Sequence, residues 1–236
     1  EWAPGTQTHH LEKGFLAQMV DHGYLFDGPN WDFCDSPLQG LYYRPLVYKR
    51  VRGWDDFEPW LSQVLDFPED VVDDALKRVE TYFKKLVGKG IRPLSAGGDH
   101  LCSLPVLRAV GEKKPVGMIH FDAHTDLYDG YFGGFKYTHG TPFKRAIEEG
   151  VLDPKRTIQI GLRGSMYDLE DFAYGEKMGV RLVRIEEAME KGPKAIMAEA
   201  RKIVGDGPVY VSFDIDMLDP VYAPGTGTPE VGGFTT

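Results

Sequence analysis

Cysteine is scarce. Cys34 and Cys102 are the only two in 236 residues. They lie far apart with no metal-binding spacing, so neither a disulfide scaffold nor a thiolate zinc site is indicated. They read as two reduced thiols, and the compartment expected is the cytoplasm. Long apolar runs are also missing: none approaches the roughly 18 residues of a membrane span. Residues 1–10 are polar and carry no signal-peptide core. The first residue is Glu1, not Met, so the original N-terminus is expected to lie upstream. Positive charge is in deficit, with 27 Lys and Arg against 36 Asp and Glu and a net charge of −9. That balance argues against nucleic acid or an anionic membrane as partner, and it suits a cationic substrate. There is no internal repeat and no low-complexity tract.

What is present suits one large globular domain with a substantial core, or two small ones, at 42% hydrophobic and 27% charged residues. Residues 1–60 are rich in aromatics, Pro and Gly, including Trp31, Phe33, Tyr42, Tyr43, Trp54 and Trp60, and lack sustained periodicity. Beyond them the pattern sharpens. Asp66 followed by Glu69 is a capping-box arrangement with Pro68 in the first turn. Val72, Ala75, Leu76, Val79, Phe83 and Leu86 recur at helical spacing, and Gly88 offers a stop. "IRPLSAGGDH" reads as a short strand and turn, and "SLPVLRAV" as a helix with Ser103 as N-cap. "PVGMIHF", "RTIQIGL", "VRLVRI" and "PVYVSFDID" read as strands. "TPFKRAIEEG" and the amphipathic stretch Ile185–Val204 read as helices. Such alternation predicts an α/β domain with a mostly parallel sheet and helices on both faces.

In open α/β sheets ligands bind beyond the carboxyl ends of the strands. Three such ends are polar here: "GGDH" with His100, "FDAHTD" with Asp122, His124 and Asp126, and "SFDID" with Asp214 and Asp216. Alternate strand residues share a face, roughly 6.5–7 Å apart along the strand, so each set is expected to converge. Converging acids repel, and burying four unpaired carboxylates is prohibitively costly. Two divalent cations would balance Asp122, Asp126, Asp214 and Asp216, with His100 and His124 adding neutral nitrogens. Two ions about 3.5–4 Å apart share carboxylates and a water whose pKa falls towards neutrality. Oxygen and nitrogen donors without thiolate suit Mn²⁺ and leave Ni²⁺, Co²⁺ or Zn²⁺ open.

Each motif taken alone has a plainer reading. Asp-x-His-x-Asp or Asp-x-Asp can be an exposed turn, and Gly97-Gly98 no more than a bend. The three at successive strand ends are what favours metal. His120, within the strand, is expected to alternate to the other side from the neighbours of Asp122 and to be a packed, hydrogen-bonded histidine. His9, His10 and His22 read as exposed, and Asp99 and Asp219 as capping or supporting groups. His139 lies on a glycine-flanked loop after the acidic cluster, "GGFKYTHGTPF", where it could shuttle protons or have no role.

"GGDH", "FDAHTD", "YTHGTPF" and "SFDIDMLDPVYAPGTGTPEVGG" closely resemble the ureohydrolases, the family of arginase, agmatinase and guanidinobutyrase. The likeness runs over residues 91–236. It implies a three-layer α/β/α arginase-like fold, a dinuclear centre that is usually manganese, hydrolysis of a guanidinium group with release of urea, and a homo-oligomer, trimeric or hexameric. By the matching motifs, His100, Asp122, Asp126 and Asp214 would hold one ion, and Asp122, His124, Asp214 and Asp216 the other. His139 matches the family's proton-transfer histidine. The loop "YDGYFGGFKYTHGTPF" is similar to the agmatinase and guanidinobutyrase branch, not to the amino-acid-binding loop of arginase.

Two departures stand out. Residues 1–60 show no version of the family's usual opening beyond a faint echo in "APGT". A substrate-binding glutamate expected further on lies outside the sequence, so the chain is expected to be part of a longer enzyme. Agmatine, giving putrescine and urea, is the substrate expected, with 4-guanidinobutyrate or another small guanidine as the alternative. A non-catalytic subunit that keeps the fold is a reading from another class. No residue is assigned to substrate binding. Aromatics of the loop 127–137 (Tyr128, Tyr131, Phe132 and Phe135) would suit a polymethylene chain, or equally pack a subunit interface. Asp129 is a candidate for a distal amine, and Lys136 or Arg163 for a carboxylate.

Overall fold

The computed structural model describes residues 69–97, 99–130, 135–164 and 170–236. The readings of Asp66, Pro68, Cys34, Tyr131, Phe132, the three early histidines and residues 1–60 lie outside them. The chain divides into two compact units, Glu1–Lys77 with Ala96–Asp99, and Arg78–Ser95 with His100–Thr236. The architecture below is that of the second.

The helices are α1 (Glu69–Gly88), α2 (Ser103–Val110), α3 (Pro142–Glu148), α4 (Glu170–Met178) and α5 (Ile185–Val204). The strands are β1 (Val116–Phe121), β2 (Leu152–Leu162), β3 (Arg181–Arg184) and β4 (Val209–Phe213). The sheet order is β3-β2-β1-β4, and every pairing is parallel.

Period two assigns the faces. Ile158, Ile160 and Val183 turn to one side and pack on Ala188, Ile196 and Ala200 of α5, with Ile119 and Phe121 alongside. His120, Gln159 and Ser212 are neighbours in register and turn to the other. There Phe143 of α3, fully buried, sets its ring edge-on to His120. Helices therefore pack on both faces of β1 and β2, as the alternation of elements predicts, whereas Val209, Val211 and Phe213 leave one face of β4 exposed.

Three local expectations fail and one element is not foreseen. Residues 91–97 form no strand. Ser103 does not cap α2: a 3-10 turn, His100–Cys102, leads straight into the helix, and Ser103 is buried as an acceptor for the Tyr210 hydroxyl. The long amphipathic helix is broken at Gly192, whose φ of 74° ends one segment before Pro193 begins the next. The helix α4 has too weak an apolar stripe to be read from its sequence. Among the described residues no helix is long and apolar enough to cross a membrane.

Candidate metal centre

β1 and β4 lie side by side, and the backbone N–H of Asp214 still donates to the Phe121 carbonyl at 2.9 Å. Just beyond, both strands stop. Alternation within a strand therefore does not arrange the acids. Asp126 sits in the left-handed region at φ 52°, a conformation costing about 1–2 kcal/mol that aspartate tolerates better than most residues. Asp216 lies in a 3-10 turn, Ile215–Met217, whose first N–H groups Asp214 caps: Asp214 Oδ1 accepts from the Asp216 N–H at 3.0 Å. These two departures send neighbouring carboxylates to different partners.

The first group gathers at His100. Its Nδ1 lies 3.1 Å from Asp122 Oδ2, 2.8 Å from Asp126 Oδ2 and 3.3 Å from Asp214 Oδ2. None of these approaches has hydrogen-bond geometry, so the nitrogen is buried among three carboxylates without a hydrogen bond of its own. Its Nε2 is anchored at 2.8 Å by Ser212 Oγ. The second group gathers at His124: Nδ1 is 3.4 Å from Asp122 Oδ1 and 3.1 Å from Asp216 Oδ2. Asp122 belongs to both groups and is 1% exposed, so its charge is met almost wholly by protein.

The electrostatics are those of a site short of positive charge. Burial works against ionisation of Asp122, yet His120, His100 and His124 hold it well below the usual carboxylate range. Burial and the Asp122 charge push Asp126 up to about 7. Burial likewise pushes Asp216 up to about 6, with Asp122 and Asp214 adding to the rise. Burial opposes a charged His124, but its contacts with Asp122 and Asp216 bring it to about 11. His100 is raised well above the ordinary imidazole value against the same burial, by Asp122 and Asp126. A divalent cation at each group would replace these held protons. Oxygen and imidazole donors, an unsatisfied Nδ1 and a shared carboxylate all fit one. His100, His120 and Asp122 form one set of ligand atoms close enough for an ion, and Asp122, His124 and Asp216 another.

His120 is where the strand reading errs in geometry and succeeds in chemistry. It shares the parity of Asp122 and turns to the same side, its Nε2 being 2.8 Å from Asp122 Oδ2. Both ring nitrogens have protein partners, the other being the Gln159 amide at 3.0 Å. It is a packed, hydrogen-bonded histidine, held below the usual imidazole value by burial.

His139 is half-buried on the turn before α3. Burial lowers its pKa first, and the charges of His124 and His100 lower it further, which sets it beside the cluster. The adjacent Gly140 has no room for a side chain: a Cβ there would stand 2.7 Å from the Tyr128 ring.

Two candidate substrate contacts already have protein partners. Asp129 pairs with Lys144 at 2.8 Å and Arg145 at 3.0 Å through one and the same oxygen. Arg163 is taken up by backbone carbonyls, those of Gly161, Asp216, Leu218, Glu230 and Val231. These bonds tie it to the loop after β4. Asp219 pins the same loop through the N–H groups of Val221, Gly232 and Gly233, the capping role expected of it. That loop brings in residues which sequence reasoning missed. Thr228 Oγ1 donates to Asp216 Oδ2 at 3.0 Å, and Glu230 Oε1 lies 3.8 Å from His124 Nε2. Ser212 was legible, since it shares the parity of Asp214; Thr228 and Glu230 carried no local signal.

The sequence profile of the Arginase family matches residues 51–236. The chain is 56% identical over 173 residues to a guanidinopropionase of Pseudomonas aeruginosa, covering 72% of this chain and 54% of that protein. It is 51% identical to a guanidinobutyrase of the same organism (96% and 72% covered). It is 50% identical to a mitochondrial agmatinase of Gallus gallus (98% and 68%). Among solved structures, proclavaminate amidino hydrolase from Streptomyces clavuligerus superposes with a TM-score of 0.62 at 38% identity, covering 69% of this chain and 54% of that one. The chain thus spans from about half to about seven-tenths of the length of these relatives.

Proposed function

The chain belongs to the Arginase family, and from that premise we propose that it hydrolyses the guanidinium group of a small linear guanidine with release of urea. The observation that carries the reading is Asp122, shared between the His100 group and the His124 group. His100, Asp122, Asp126 and Asp214 would hold one divalent cation, and Asp122, His124, Asp214 and Asp216 the second. Mn²⁺ is proposed, with Ni²⁺, Co²⁺ or Zn²⁺ as alternatives. When bound, such a pair lowers the pKa of a coordinated water towards neutrality and polarises the substrate.

The chain's own residues supply the rest. Ser212 fixes the ring of His100, and Thr228 and the Ala123 N–H fix Asp216, so the donors are set before a cation arrives. Glu230 faces His124 and adds negative potential where a cationic guanidinium would enter. His139, whose pKa is held low by burial, is neutral at rest. Once protonated it gives up that proton more readily than an ordinary imidazolium, which suits it to passing the proton to the leaving amine nitrogen.

Agmatine, giving putrescine, is the proposed substrate, and the 50% identity to an agmatinase supports it. A guanidino acid such as 4-guanidinobutyrate is the second reading, favoured by the likeness to a guanidinopropionase and a guanidinobutyrase. A urea-release panel on agmatine, 4-guanidinobutyrate, arginine and guanidine, with each metal added in turn, decides between them. Agmatine should give the highest kcat/KM. A clear win for the guanidino acid moves the assignment to the second reading, and no urea from any of them removes both. A trimer or hexamer in the cytoplasm completes the proposal, checked by light scattering and cell fractionation.

A further inference from the structure

Behind Asp122 lies a chain of buried polar groups which the proposed hydrolysis does not use. The Thr125 carbonyl accepts from Gln159 Nε2 at 2.6 Å, and the same nitrogen lies 3.0 Å from His120 Nδ1. His120 Nε2 lies 2.8 Å from Asp122 Oδ2. Gln159 and His120 are both 0% exposed, so water cannot substitute for any of these partners.

The chemistry of the first link settles the others. A carbonyl only accepts, so the Gln159 amide must turn its NH₂ towards Thr125. The reverse orientation would set two oxygens 2.6 Å apart. That NH₂ then donates its second hydrogen to His120 Nδ1, which must be the bare nitrogen of the ring. The ring proton is left on Nε2, facing Asp122. The Oε1 of Gln159 makes no hydrogen bond, as expected if the amide is oriented by its donors alone. Asp122 thus accepts from His120 on Oδ2 and from the His124 backbone N–H on Oδ1 at 2.7 Å. Both oxygens are pinned, and each keeps a lone pair for a cation.

We propose that His120 is a positioning residue, locked by Gln159 and the Thr125 carbonyl in its Nε2–H tautomer, that orients Asp122 to serve both cation sites. The proposal rests on the metal reading above. It separates His120 from the ligands, although its ring lies close enough to His100 and Asp122 to be mistaken for one.

The test uses the whole chain and Mn²⁺ alone as probe, with binding followed by calorimetry and metal analysis. His120→Gln keeps an N–H donor near the place of Nε2 and should bind within about threefold of the unsubstituted chain. His120→Phe keeps the volume and loses the donor, and should weaken binding by about 10–100-fold, the usual effect of losing such a supporting contact. Gln159→Met leaves His120 in place but frees its tautomer. In metal-free protein, ¹⁵N–¹H correlation of the imidazole should report Nε2–H before this substitution and a mixture after it. A ring proton on Nδ1 in the unsubstituted chain overturns the proposal, as does unchanged Mn²⁺ affinity in His120→Phe. Loss of one whole ion in His120→Gln overturns it by making His120 a ligand. An unsubstituted chain that binds no Mn²⁺ overturns the metal reading itself, a result distinct from the others.

Discussion

His100 Nδ1 stands 2.8 Å from Asp126 Oδ2 and makes no hydrogen bond with it. A nitrogen that close to a carboxylate, and aimed away from its lone pairs, is placed to share a third atom with it. Asp122 and Asp214 approach the same nitrogen from other directions, so the shared point lies among four residues drawn from three separate segments.

Metal binding should therefore release protons. His124, brought to about 11, and His100, raised well above the ordinary value, hold protons at pH 7, whereas ligation needs the bare nitrogen. Asp126 holds one below about 7 and Asp216 below about 6. Every one of these protons must leave, so Mn²⁺ affinity should rise with pH, most steeply below about 6 and still rising towards about 11 as the His124 proton is lost. Calorimetry in buffers of different ionisation enthalpy measures the release. Binding that takes up protons, or ignores pH, would contradict the arrangement.

Asp122→Asn should be among the most damaging ligand substitutions, together with Asp214→Asn, the other residue proposed to serve both ions. It removes charge from both groups at once, so metal analysis should find neither ion retained, whereas Asp216→Asn should keep one. In metal-free protein the change also leaves His100 and His124 short of a buried partner. Loss of one member of a buried ionic cluster costs on the order of 3–5 kcal/mol, readable by urea titration. Retention of two ions by Asp122→Asn would show that this carboxylate is not shared.

His139→Asn should act on turnover and not on metal content. The half-buried side chain feels the charges of His124, His100, Asp214 and Asp122. In active protein kcat should fall on the order of 10²–10⁴-fold, the range for lost acid–base help, with the metal content unchanged. Departure of an ion with the substitution would make His139 a ligand instead.

Arg163→Met should lower stability while leaving the relative preference for guanidino acids over agmatine unaltered. Its donors serve five backbone carbonyls. A buried acceptor left bare costs about 1–3 kcal/mol, so thermal unfolding should shift down clearly. Arg163→Lys should recover little, because one ammonium cannot span the positions that a planar guanidinium reaches. A selective loss of guanidino-acid turnover would restore Arg163 as a carboxylate contact.

Much of this was legible in the chain itself. The motifs "FDAHTD" and "SFDID", which follow two neighbouring parallel strands, and "GGDH", which follows none, pointed to six candidate donors, because a parallel sheet collects its strand ends on one edge and a cation would balance so many acids there. Apolar runs rich in β-branched residues located β1 to β4, although β2 begins at Leu152, ahead of "RTIQIGL", and β4 stops at Phe213. It mistook residues 91–97 for a strand and passed over α4, where no strong apolar pattern exists to be read.

The sequence by itself determined which atoms are available: four carboxylates and two imidazoles in three short motifs, and a histidine on a glycine-flanked loop. Only the tertiary structure decided which atom meets which. A left-handed Asp126 and a capped turn at Asp216, not strand alternation, divide the acids between His100 and His124. Arg163 and Asp219 fold the loop after β4 so that Thr228 and Glu230 reach the cluster from more than ten residues away in sequence. A carbonyl at Thr125 chooses the tautomer of His120 through Gln159, 39 positions along the chain from that histidine. Such pairings depend on φ angles and on contacts across the fold, and neither is written in local pattern or propensity.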